Sequence, residues 1–182
     1  MALTKIQAES MNLADTFAFT GTVSGVGGIT HIDNWRLTSS FTGGAIPISS
    51  NLEQVDTAGQ TTIGSAMTFS SGIFTFPVTG KWLVQANYTH YINGSSRYQS
   101  HYIKLTIDNS NYTTVANMNT GITHAESDNT YDSGQQQVLI DVTDTSLVKV
   151  KFEVHPSSSS VYTTGSSTNN YTYFTFIRFG DT

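Results

Sequence analysis

Residues 71–92 constrain this chain more than any other stretch: Ser-Gly-Ile-Phe-Thr-Phe-Pro-Val-Thr-Gly-Lys-Trp-Leu-Val-Gln-Ala-Asn-Tyr-Thr-His-Tyr-Ile. Residues 73–76 read as a short strand that runs into Pro77, crosses a tight turn closed by Gly80, and continues as a long strand over 81–92. Proline presets the backbone angle of such a turn, and glycine accepts an angle that a side chain would resist. In the long strand Trp82, Val84, Ala86, Tyr88, His90 and Ile92 fall on one face, and Lys81, Leu83, Gln85, Asn87, Thr89 and Tyr91 on the other. That period of two predicts a strand whose first face lies against a core.

The rest of the chain repeats the pattern. Charged residues make up only 12% of the 182 positions, against about 25% in ordinary soluble proteins. Ser, Thr, Asn, Gly and Tyr take their place, a composition that suits many short strands joined by polar loops. The first strand starts near Trp35, and Pro47 places 46–48 on an edge or in extended coil. Turn signals at Asn93-Gly-Ser-Ser, Asp108-Asn-Ser-Asn and Thr143-Asp-Thr separate strands over 98–108, 112–119, 135–142 and 147–155. In the last of these Val148, Val150, Phe152 and Val154 oppose Lys149, Lys151, Glu153 and His155. Residues 121–134 and 156–170 read as long polar loops. The closing strand carries Tyr171, Tyr173, Ile177 and Phe179 on one face and Phe174 and Phe176 on the other. A strand aromatic on both faces needs cover on both. One sandwich supplies one core, so Tyr171, Tyr173, Phe174 and Phe176 are the candidates for contact with a neighbouring subunit.

The pattern Gly72-x-Phe74-x-x-Pro77-x-x-Gly80-x-Trp82 resembles the signature of the C1q/tumour-necrosis-factor-like jelly roll, with Trp82 standing where that family usually has tyrosine. The pair of strands at 135–142 and 147–155 resembles the family's late hairpin. The resemblance covers roughly residues 34 to 180. It implies an all-β fold, a C1q/TNF-like jelly-roll sandwich over 34–182, assembled as a homotrimer and without enzymatic activity. Some members of the family hold calcium near the trimer axis, but no ligand set maps onto these positions.

Residues 1–33 differ from the body and are expected to form an extended N-terminal arm. Leu3, Ile6 and Leu13 sit near heptad spacing over fewer than two heptads, too few for a coiled coil. Phe17 and Phe19 follow in an alternating apolar strip that ends in Gly25, Gly27 and Gly28, a flexible joint. Two accounts stand: a frayed arm, or an anchor that orders on a partner. The opening Met-Ala-Leu-Thr-Lys-Ile and the segment Leu13-Ala-Asp-x-Phe17-Ala-Phe-Thr-Gly-Thr-Val resemble the N-termini of structural proteins of tailed phages, especially of cyanobacteria and marine bacteria. That resemblance implies a virion protein whose arm binds capsid or tail proteins. A capsid decoration or head fibre, a tail-fibre adhesin for host surface glycan, and a free bacterial lectin remain alternatives.

The chain carries no constellation to which catalysis, a metal or a cofactor can be assigned. It has no cysteine, so thiolate chemistry and disulfides are excluded. A net charge of −5 without a basic cluster argues against nucleic acid, and no apolar run approaches the ~20 residues of a membrane span. The N-terminus lacks the apolar core and cleavage site of a secretory signal. His31, His90, His101, His124 and His155 are dispersed, and His90 and His101 read as core or interface histidines. Glu126, Asp128 and Asp132 form the one dense acidic group and read as a solvated loop. Gly64-Ser-Ala-Met lacks the nucleophile elbow, and Gly25-Val-Gly-Gly lacks the lysine of a phosphate loop. Tyr98, Tyr112, Tyr131 and Tyr162 sit among Ser, Asn, Thr and Gly, the composition of adaptable binding loops, where aromatic rings can stack on sugars. The competing account is that tyrosine is simply common in strands.

Overall fold

The computed structural model describes residues 28–123 and 127–182. Twelve strands account for the regular structure among them: β1 (His31–Leu37), β2 (Ser39–Thr42), β3 (Leu52–Gln54), β4 (Thr68–Ser70), β5 (Ile73–Thr75), β6 (Gly80–Ile92), β7 (Ser96–Thr106), β8 (Thr113–Ile122), β9 (Thr130–Val142), β10 (Lys149–Pro156), β11 (Tyr162–Ser166) and β12 (Tyr173–Gly180). They form two antiparallel sheets, one of seven strands and one of five ordered β4-β5-β10-β7-β8.

β6 organises the larger sheet. It pairs with β9 along its whole length, from Gly80↔Val142 to Ile92↔Thr130. On its other side it pairs first with β12 and then, at His90 and Tyr91, with β11. β12 continues to β1 and β3, and β11 continues to β2. Burial alternates strictly along β6, with Trp82, Val84, Ala86, Tyr88, His90 and Ile92 inward, as the sequence predicts. The turn at 76–79 carries the chain from β5 in one sheet to β6 in the other. Its glycine has a steric cause. Gly80 has φ +137°, and a Cβ there would lie 2.3 Å from the carbonyl oxygen of Gly180 and 2.5 Å from Nε of Arg178. Arg178 in turn donates from Nε to the Thr79 carbonyl, so the end of β12 clamps the turn.

The core between the sheets is aromatic. Phe74 meets Trp35, Phe69, Phe152 and Phe176 with ring centroids 4.8–5.6 Å apart, and Phe152 stacks on Phe174 at 3.9 Å. Trp82 packs on Phe76 and donates from Nε1 to the Val78 carbonyl. Truncating such a buried ring costs about 3–5 kcal/mol. A second, polar anchor fastens the long connection before β4. Buried Asp33 accepts from Trp35 Nε1, Gln54 Nε2 and the Met67 amide. Arg36, equally buried, pairs with Glu53. These hold residues 53–67 against β1.

Three expectations change. The polar stretch expected to loop over 121–134 ends as strand, because β6 is long enough to pair with Thr130–Gly134. The Ser/Thr/Asn-rich stretch 156–170 contains β11, whose pairing comes from β6 and β2 on either side. Phe174 and Phe176, expected at a subunit interface, are fully buried in the chain's own core and have no surface to give a neighbour. They face inward because their register partners Ala86 and Val84 do.

Candidate functional site

The outward face of the seven-stranded sheet is built in rows, because residues directly paired on antiparallel strands point the same way. At the end bearing the β5–β6 turn, Lys81 pairs with Asp141. The next row is apolar and crosses four strands: Leu139 on β9, Leu83 on β6, Ile177 on β12 and Ile32 on β1. Ile63, bridged to Ile32, extends it by one more residue. Leu139 is 62% exposed. Then come Gln137, Gln85, Thr175 and Asn34, with Thr175 donating to the Asn34 side-chain oxygen.

Beyond them a cleft of about 340 Å³ opens among Asn87, Thr89, Ser133, Gln135, Tyr171 and Tyr173. Nδ2 of Asn87 and Oδ1 of Asn170, both at this cleft, are buried without a hydrogen-bond partner. At the far end Tyr91 stacks on Tyr162, centroids 4.6 Å apart and planes within 4°, and lies 5.3 Å from Tyr131. Tyr131 is 61% exposed. The face thus offers an apolar band, a polar cleft with unsatisfied amides and an aromatic edge.

Of the tyrosines singled out in the sequence, Tyr131 and Tyr162 come together with Tyr91, on strands rather than loops. Tyr98 lies on β7 and is exposed. Tyr112 lies before β8 under the ammonium of Lys151, 4.6 Å from its ring centroid. The four do not make one site. Tyr171 and Tyr173 face outward at the cleft. Phe74, Pro77, Gly80 and Trp82 hold the core and its turn. Leu3, Ile6, Leu13, Phe17 and Phe19, with His124 and Glu126, lie outside the described residues.

Inside the same end of the sandwich the structure joins two histidines, both of which read from the sequence as core or interface residues. His90 and His101 are both fully buried, with their Nε2 atoms 2.5 Å apart and their rings stacked at 4.6 Å. Burial pushes the imidazole of His90 down to about 4 and that of His101 to about 3. Asp132, expected on a solvated loop, instead stands across from His90 on β9, with Oδ2 buried and unpartnered. Eleven residues separate the two histidines, so only the β6–β7 crossover reveals their contact. Among the described residues no group of three His, Asp or Glu side chains is placed to hold a metal.

Two antiparallel sheets with this connectivity define a jelly roll of the C1q/tumour-necrosis-factor type. The fold is that of solved structures of murine APRIL at pH 5.0 (TM-score 0.59, 8% identity, covering 81% of this chain and 98% of that one). It is equally that of the Eiger TNF from S. frugiperda (TM-score 0.59, 11% identity, 83% and 93% covered). No family model and no curated protein matches the sequence. At such identities the likeness is one of fold.

Proposed function

We propose that this chain is a non-enzymatic structural protein of a tailed-phage virion, a homotrimer attached through the segment that precedes β1 and displaying its jelly roll outward. The observation that carries the assembly is the row Leu139–Leu83–Ile177–Ile32 across four adjacent strands. Apolar side chains aligned over that width gain about 25 cal/mol per Å² when another surface covers them. Asn87, Thr89, Ser133 and Gln135 at the neighbouring cleft place polar side chains beside that apolar row. The virion setting rests on the resemblance of the N-terminal segments. A head fibre or capsid decoration suits a short arm docked close to its partner.

Light scattering of the purified chain at micromolar concentration tests the assembly: three times the chain mass is expected, and a monomer overturns it. Cryo-electron microscopy of the particle tests the setting. A three-fold knob on the head makes the protein a decoration or head fibre, and absence from the particle overturns the virion reading. The same knob at the tail periphery selects the second reading, a host-glycan adhesin, which the exposed Tyr131 at the aromatic edge favours.

A further inference from the structure

We propose that the contact between His90 and His101 is an acid-released clasp joining the two sheets at the end that carries the tyrosine edge. His90 belongs to the seven-stranded sheet and His101 to the five-stranded sheet, so their 2.5 Å contact ties one layer to the other. A contact between two imidazole nitrogens holds one proton. It cannot survive when both facing nitrogens are protonated, since neither can then accept.

The surroundings decide when that happens. On β6, Tyr88 lies within 4.3 Å of the His101 ring and stacks on it. On β9, Asp132 faces His90. On β11, the Thr163 hydroxyl lies 3.3 Å from His90 Nδ1. On β8 and β10 the register partners of His101 are Met118 and Val154, which carry no charge. Asp132 is therefore the one charged group among the described residues that faces the pair, and it favours a first proton on His90. For His101 the Met118 backbone favours the charged ring, but burial and the neighbouring His90 outweigh it.

The pair is held neutral while closed and is released into solvent to be protonated. Open, each ring regains an ordinary affinity, near pH 6.5. The open state therefore binds more protons, and falling pH favours opening. Between about pH 6.5 and 4 each proton contributes up to tenfold per pH unit to the opening equilibrium, and two contribute up to a hundredfold. The aromatic core around Phe74, Phe152 and Phe174 contains no such group and stays closed. The proposal is independent of the virion reading.

Hydrogen exchange of the full chain at pH 7 and pH 5, corrected for intrinsic rates, tests it. Peptides over 88–101 and 161–164 are expected to lose at least tenfold protection at pH 5, while those over 148–152 and 174–177 keep theirs. The double variant His90→Gln with His101→Gln, neutral at every pH, is expected to abolish the difference. Should that variant not fold, a histidine NMR titration of the unmodified chain replaces it, with both rings expected to titrate together well below 6.5. Equal protection at the two pH values, or either ring titrating near 6.5 in the closed sandwich, overturns the clasp.

Discussion

Gly80 and Gly134 both sit in strands, and a methyl group added at either would meet an atom closer than 2.5 Å. What they meet differs. At Gly80 the obstacle is the backbone carbonyl of Gly180, and φ of +137° is itself strained for any side chain. Neither can yield without moving β12. At Gly134 the obstacles at 2.4 and 2.6 Å are Cε and Sδ of Met118, the far end of a flexible side chain. Gly80→Ala is therefore expected to cost about 2–4 kcal/mol. Gly134→Ala should cost less, about 1–2 kcal/mol, because Met118 can turn aside and Thr120 Cγ2, at 2.9 Å, needs to give only a little. Urea unfolding of the two variants checks the ranking, and the reverse order would sink the clamp account of the turn.

β6 is the element on which both the sequence reading and the fold turn. All thirteen of its residues pair with β9, and nine of them pair on the other side with β12 or β11. Its central amides and those of β12 are expected to exchange slowest, near the global unfolding limit, while the short edge strands β3 and β4 exchange orders of magnitude faster. Fast exchange over 82–86 at neutral pH would contradict the architecture. β6 and β10 were legible because one buried face imposes period-two alternation. β11 and the first half of β9 were not: Thr, Gly, Ser and Asp hold them as strands only because long-range partners supply their hydrogen bonds. Asp33 and Arg36 were equally silent, since an acid beside a Trp and a basic residue says nothing of the loop it will hold. The histidine clasp could be read no better, because spacing along one strand does not reveal contacts between sheets.

At the scale of the whole molecule, the closing strand moves the sequence argument for a neighbouring subunit onto other residues. Aromatic side chains on both of its faces imply two covered surfaces, yet Phe174 and Phe176 fill the chain's own core. The unfilled surface is the opposite one, and it is wider than one strand: Leu139, Leu83, Ile177 and Ile32 reach it from four. If subunits meet there, placing charge in that row should separate them without unfolding them, because the row lies outside the core. Leu139→Lys with Ile177→Lys is expected to convert the trimer to a monomer in light scattering. The unfolding midpoint of the isolated subunit should stay close to that expected from surface substitutions, which cost within about 0.5 kcal/mol each. A double variant that remains trimeric would move the interface off this face, and one that fails to fold would mean that the row serves the sandwich itself. Only monomers with an intact fold would leave the outward sheet face as the surface on which this jelly roll assembles.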